Sequence, residues 1–251
     1  MKVRLDKLLV ERGLAASRER AQALVLAGRV LVREQKVEKA GTSVDEAVEI
    51  RLLGEDMRYV SRGGLKLERA LEHWAIDPTG RNCVDIGTST GGFSDCLLQR
   101  GAARMLCVDT GYGQIAQKLR DDPRITLMER TNARLLAPTA FAGFAAGQGI
   151  GLLAMDVSFI SATLVLPAVV AAIRACGHGF DAVVLVKPQF EAGRENIGKG
   201  GIVRDPEAQA MAVERVAGAV KLLGGAEIDV IDSPILGMEG NREFLLHALF
   251  H

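Results

Sequence analysis

Four ionic side chains are of types that could do chemistry, two of them at the ends of apolar runs. Asp156 closes the apolar run LLAMD, Lys187 closes AVVLVK, Glu243 opens EFLLHALF, and Lys66 lies within GGLKLERALEHW. A charge at the end of a buried strand is unfavourable unless it is paired or used. Lysines and carboxylates can move a proton or steady a charge that develops during reaction. Taken singly, each residue is better explained by a surface ion pair. Helical spacing puts Leu67, Leu71 and Trp74 on one apolar stripe and Lys66 on another side.

A second chemical signal is the stretch VDIGTSTGGFSD, residues 84–95. Glycines after a short apolar run let the backbone come close to a ligand. A dinucleotide fingerprint would place Gly at 89, where Ser stands, and a phosphate loop would end in Lys followed by Ser or Thr. Neither fits. The turn leaves room for a carboxylate and a ribose, with the next helix N-terminus turned toward the anion. Asp109, ending MLCVD, is placed to accept both hydroxyls of an adenosine ribose. This pattern favours S-adenosylmethionine over NAD, while a plain tight strand–helix turn also accounts for the glycines. GRENIGKGG (193–201) nearly spells a phosphate loop but has Gly200 where a hydroxyl is needed, so it reads as a flexible basic loop over the substrate.

The elements that must hold these residues follow from patterning. The runs CVDIG, MLCVD, ITLM, LLAMDV and AVVLVKP alternate with helical or glycine-rich segments, as in a parallel sheet covered on both faces. EIDVIDSP and EFLLHALF read as two further strands forming a terminal hairpin. The expected fold is α/β: a Rossmann-like, mostly parallel central sheet with a C-terminal antiparallel hairpin and helices on both faces. In an open sheet of this kind the ligand lies beyond the carboxyl ends of the strands.

Residues 1–57 read differently. Leu5, Leu8 and Leu9 have helical spacing before Gly13; Ser17 caps a second helix running to Ala27, with Ala21, Leu24 and Val25 inward and Gly28 at its exit. RVLV and VEIRL read as strands around the polar segment AGTSVDEA. A small α+β domain over 1–57, a linker over 58–62 and a larger domain over 63–251 are expected.

The chain of 251 residues carries 31 Lys and Arg against 31 Asp and Glu, so any attraction to nucleic acid must be local. Residues 1–40 hold ten basic residues against five acidic ones. A basic face of this kind follows a phosphate backbone, or is an ordinary solvated surface. Cys83, Cys96, Cys107 and Cys176 lack CxxC spacing and read as reduced thiols. His73, His178, His247 and His251 form no ligand set, so no metal is expected. The stretch Ile160 to Ile173 is shorter than the ~20 residues a membrane span needs. A soluble, cytoplasmic protein is the expectation, with nothing requiring more than one copy of the chain.

The run RLDKLLVERGLAASRERAQALVLAGRVLV resembles the αL-type RNA-binding module of a small-subunit ribosomal protein, tyrosyl-tRNA synthetases and some pseudouridine synthases. The tight Asn-Gly turn common in that module is REQ here, so that loop is expected to differ. The resemblance makes Arg4, Lys7, Arg18, Arg20, Arg29 and Arg33 the expected RNA contacts. The set Lys66, Asp156, Lys187, Glu243 resembles the K-D-K-E tetrad of the FtsJ-like RNA 2′-O-methyltransferases. SRGGLKL, DIGTSTGGF, VDTGYGQ, MDVSFIS, VKPQFE, GKGGIVRD and GNREFLL resemble the TlyA branch of that group, which also carries the αL-type module. Glu239 competes with Glu243 for the acid position, and the GNxE context favours Glu243.

The resemblance implies methyl transfer from S-adenosylmethionine to ribose 2′-hydroxyls of ribosomal RNA, at cytidines of one or both subunits. Lys187 would act on the hydroxyl, as a base or as a charge stabiliser. Asp156 and Glu243 would pair the two lysines, and Lys66 would contribute electrostatically. Asp85, Gly87, Gly91, Gly92 and Phe93 would contact the cofactor, with Asp109 on its ribose. Asn132 would meet the adenine edge or serve only as a turn residue. Competing readings are a base N-methyltransferase, which DVSFIS disfavours for want of a proline, a non-catalytic ribosome-assembly protein, and a membrane-active haemolysin.

Overall fold

Gly13 and Gly28, with φ of 69° and 65°, follow the two N-terminal helices in the left-handed conformation that glycine adopts without strain. The computed structural model describes residues 2–15, 17–53, 58–177, 179–237 and 240–251. His178, Glu239 and the 54–57 part of the expected 1–57 boundary lie outside these. The chain forms two compact units, Met1–Met57 and Arg58–His251.

In the first unit, β1 (Lys2–Arg4) leads into α1 (Leu5–Glu11) and α2 (Arg18–Leu26). Then follow β2 (Val30–Val32), β3 (Gln35–Lys36), β4 (Ser43–Asp45) and β5 (Ile50–Leu52). Ser17 caps α2 by accepting from the Arg20 N–H at 3.2 Å. Leu5, Leu8 and Leu9 pack against Ala21, Leu24 and Val25, as their spacing requires. β3, β2 and β5 form one antiparallel sheet, and β1 pairs with β4, which lies inside the segment read as polar loop. Three residues with one apolar side chain give too little alternation to announce a strand. The REQ loop does not differ from the tight form: Arg33 and Glu34 both take positive φ, 51° and 63°, the hairpin geometry usually met by Asn-Gly. Arg51 of β5 pairs with Glu34 in this turn at 2.5 Å.

The second unit opens with α3 (Gly63–His73), then alternates β6 (Asn82–Ile86), α4 (Gly92–Gln99), β7 (Arg104–Val108), α5 (Gln117–Arg120) and β8 (Ile125–Met128). It continues through α6 (Ala142–Ala145), β9 (Leu152–Met155), α7 (Ala162–Arg174), β10 (Phe180–Val186), α8 (Pro188–Glu191), α9 (Pro206–Leu222), β11 (Gly225–Asp232) and β12 (Phe244–Phe250). Residues 58–62, read as linker, are tied into this unit: the Val60 N–H donates to Asp95 at 2.8 Å, and the buried Tyr59 donates to Glu68 at 2.9 Å.

The seven strands lie in the order β11-β12-β10-β9-β6-β7-β8, and β12 alone runs against its neighbours. Period-two alternation divides the side chains. Val84 and Ile86 of β6 face the core under α7 and α9, whereas Cys83 faces the core under α3 and α4. Cys83, Cys96 and Cys107 are free buried thiols, each pushed up to about 12 by burial. His247 is held between the Trp74 ring, stacked at 5.2 Å, and Asp181 at 2.9 Å, a structural setting.

Two features shape the carboxyl edge. The strand order reverses between β6 and β9, opening a crevice there. Because β12 is antiparallel, with Val186 opposite Phe244, its first residues lie at the same edge as the last residues of β10. This brings Glu243 to the end where Asp156 and Lys187 emerge.

Candidate active site

Lys66, Asp156, Lys187 and Glu243 all border one cavity of about 280 Å³ at the carboxyl edge. Lys187 follows β10 directly, and its Nζ lies 2.5 Å from Asp156 Oδ1. That approach is ionic, without hydrogen-bond alignment. The same Nζ donates to Ser158 Oγ at 2.7 Å. Lys66 Nζ pairs with Glu243. Both lysines and Glu243 are buried, each no more than 9% exposed.

Lys66 thus corrects the expectation of a position off the packed face. It shares the buried side of α3 with Leu67 and Ala70, four residues being one turn, because its partner lies at the sheet edge and not in solvent. Gly237 makes room for the pair, since a side chain there would strike the Glu243 carboxylate. Buried ion pairs seldom add stability over apolar packing. Two buried lysines, each paired with a carboxylate around one cavity, point to use of the charges. Glu239 lies outside the described residues, so the comparison of the two acids rests on Glu243 alone.

Asp85, Gly87, Gly92 and Phe93 border the same cavity. Asp85 is fully buried; its Oδ2 accepts from Ser94 Oγ (2.6 Å) and the Ser94 N–H (3.1 Å), while Oδ1 has no partner. Burial pushes this carboxyl up to about 7, and the nearby Asp156 and Asp109 charges add to the rise. An unpartnered buried oxygen is costly, and a ligand ammonium placed there would satisfy it. Gly87, at φ 85°, lets β6 turn under the β9 exit: a side chain would run into the Asp156 carbonyl. Gly91 does not border the cavity. It starts α4 at φ 93° and faces Leu119 and Ile115, so its glycine character serves the turn and the packing.

A second cavity of about 460 Å³ shares Gly87, Ser89, Asp156 and Ser158 with the first and adds Asp109 and Asn132. Asp109 accepts from the Ser89 N–H (Oδ2) and the Gly111 N–H (Oδ1), both at 2.7 Å, which fixes the carboxylate and leaves lone pairs for two hydroxyls. Asn132 accepts from the Arg134 N–H at 3.1 Å to cap a single helical turn, and it also borders this cavity. The turn role of Asn132 is thus met, and its place at the cavity leaves the adenine reading open.

The sequence reading missed Ser61, which borders the first cavity, and Ser158, Phe159 and Glu191. Ser158 lies two residues after Asp156 in DVSF, but a serine in a loop carries no periodic signal. Phe159 is 88% exposed at φ 64° and borders the larger cavity. Glu191 is buried, accepts from Ser161 Oγ (2.5 Å) and the Ala162 N–H (2.7 Å), and joins the loops that bear Lys187 and Asp156.

In the first unit, Arg4 and Arg18 meet at the buried carboxylate of Asp6. Lys7 pairs with Glu11 at 3.4 Å, one turn along α1. Arg29 donates to the Leu53 carbonyl at 2.8 Å, Arg33 is exposed in the hairpin turn, and Arg20 lies half-buried on α2. Among the described residues, no helix is long and apolar enough to cross a membrane.

Comparison with known proteins gives two family matches: FtsJ-like methyltransferase over residues 59–250 and S4 domain over residues 3–50. YqxC of Bacillus subtilis, provisionally named an rRNA methyltransferase, is 47% identical over 98% of this chain and 85% of its own. The 16S/23S rRNA (cytidine-2′-O)-methyltransferase TlyA of Mycobacterium tuberculosis is 44% identical over 98% of this chain and 89% of its own. A solved structure from Streptococcus thermophilus, provisionally described as a hemolysin, matches with a TM-score of 0.72 at 42% identity, covering 99% of this chain and 88% of that one.

Proposed function

The chain belongs to the FtsJ-like methyltransferase family, and from that premise we propose that it methylates ribose 2′-hydroxyls of ribosomal RNA, at cytidines of one or both subunits. The observation that carries this reading is the pair of buried lysine–carboxylate contacts around one cavity at the carboxyl edge of the sheet.

S-adenosylmethionine, the family's cofactor, supplies a methyl group already activated on a sulfonium. Residues around the two cavities suit it: the free Oδ1 of Asp85 would meet its ammonium and Asp109 its ribose. Gly87, Gly92 and Phe93 would line its path, with Asn132 near the base. Asp156 borders both cavities, so its charge would lie beside the reacting centre.

A ribose hydroxyl is a weak nucleophile because it holds its proton far above neutral pH. Lys187 would bind the attacking oxygen through Nζ, taking its proton if the amine is neutral, or, as the ammonium, stabilising the charge that develops there while the proton passes to water. Asp156 and Ser158 hold that Nζ in place. Lys66 and Glu243 would form the opposite wall and fix the ribose. Alignment supplies much of the acceleration for transfer to an activated carbon.

The module in residues 1–57 would supply RNA affinity through its arginines, and residues 63–251 the chemistry. The exposed ring of Phe159 suits stacking against an unpaired base near the cleft. Ribosomal RNA, free or within assembled subunits in the cytoplasm, would be the substrate. The test is to incubate the protein and S-adenosylmethionine with unmodified rRNA transcripts and with subunits, then map 2′-O-methyl positions. Discrete cytidine marks are expected. Absence of any mark on both substrates would count against the proposal.

A further inference from the structure

Asp6 opens α1 with its side chain fully buried. Five hydrogen bonds converge on it. Arg4 donates from Nε to Oδ1 (3.0 Å) and from Nη2 to Oδ2 (2.9 Å). Arg18 donates from Nε to Oδ2 (3.0 Å), Gln22 from Nε2 to Oδ2 (3.1 Å), and the Lys7 N–H to Oδ1 (3.0 Å). The Arg4 fork, with Gln22 and Arg18, holds this carboxyl well below the usual carboxylate range despite its burial.

The cations are placed differently from the anion they share. The Arg4 and Arg18 side chains remain 50% and 55% exposed. Arg4 keeps Nη1, and Arg18 keeps both Nη groups, without a partner among the described residues. Gly41 leaves the space in which the Arg4 guanidinium lies, for a side chain there would come within 3.2 Å of both Nη atoms.

We infer that Asp6 is a positioning residue, which fixes Arg4 and Arg18 as a paired clamp for one phosphodiester of bound RNA. The inference rests on the RNA-binding reading of this module and adds to it the geometry of the contact. Two guanidinium groups anchored to one oxygen present their free N–H groups together, and a guanidinium fork matches two phosphate oxygens. An unanchored arginine would lose its rotamer freedom on binding; these two have lost it already.

The alternative is that Asp6 merely dilutes a positive patch. The two readings differ in sign. Neutralising Asp6 adds a positive charge to the surface, so a purely electrostatic patch would bind RNA more tightly.

The test measures affinity of the full-length chain for unmodified 16S and 23S rRNA transcripts across a salt series, with thermal unfolding as a control. Asp6→Asn is expected to weaken binding about tenfold although net positive charge rises. Unchanged or tighter binding would overturn the inference. Should Asp6→Asn fail to fold, Arg4→Lys with Arg18→Lys decides, because it keeps every charge and removes both forks. A loss of about tenfold is expected there too, and wild-type affinity would overturn the inference. In Arg4→Gln with Arg18→Gln, binding should fall and adding Asp6→Asn should change nothing more. Unchanged affinity in the glutamine pair removes the RNA contact itself and the inference with it. A loss there combined with tighter binding in Asp6→Asn overturns the positioning role alone.

Discussion

In the first unit a carboxylate is buried and its arginines stay half in solvent; in the second, two lysines are buried, one beside the buried Glu243 and one beside the half-buried Asp156. The chemical parts are alike and the exposure of the cation is reversed. Half-solvated guanidinium groups can meet a large polyanion at a surface. An ammonium enclosed beside a cavity meets only what enters the cavity, and there its field is little screened. On the readings proposed above, the same ion-pair chemistry would serve binding in one place and reaction in the other.

The largest effect that would break this contrast comes from Lys187. Lys187→Ala should lower the single-turnover methylation rate by at least about 100-fold while leaving S-adenosylmethionine affinity within a few-fold of wild type. Calorimetric titration beside rapid-quench rates separates the two quantities. A variant that loses cofactor affinity instead would make Lys187 a cofactor residue.

Next comes stability. Glu243→Gln leaves the Lys66 ammonium buried without its counter-charge, which should cost about 3 kcal/mol in denaturant unfolding. The Lys66→Met, Glu243→Leu double variant should recover much of this while remaining inactive. Asp6→Asn should cost far less, because its arginines can turn to water. Equal losses at the two sites would erase the distinction.

A smaller effect concerns Asp85. Its folded carboxyl, at about 7, lies above the ordinary 3.8, so the protonated form is favoured in the native state. The stability this gives is complete below about pH 4 and is lost as pH rises to about 7. Asp85→Asn should flatten that part of the cofactor-free protein's pH–stability curve. In the wild type, S-adenosylmethionine should bind more tightly as pH rises through 7, by up to about tenfold per unit below it. A pH-independent dissociation constant would show that Asp85 does not meet the ammonium.

Much of the site could be read from the chain because strand ends are visible as breaks in apolar runs. Asp156 and Lys187 stand at such breaks, and the reversal of the last strand brings Glu243 to them. The burial of Lys66 is not legible, since helical periodicity ranks faces by apolar content and a buried lysine counts against its own face. Gly91 reads as a ligand contact because positive φ and close approach leave the same letter in the sequence. The Asp6 cluster was not legible at all. Its arginines counted as surface charge, and only the fold brings residues 4, 6, 18 and 22 to one point. The short β4 strand was lost for lack of alternation.

The most direct test is chemical identity. Unmodified ribosomal RNA treated with the protein and methyl-labelled S-adenosylmethionine would be digested to nucleosides and resolved by mass spectrometry. The label should reside on the ribose of cytidine, and Lys187→Ala should yield almost none. Label on a nucleobase, or an undiminished yield from Lys187→Ala, would contradict the account.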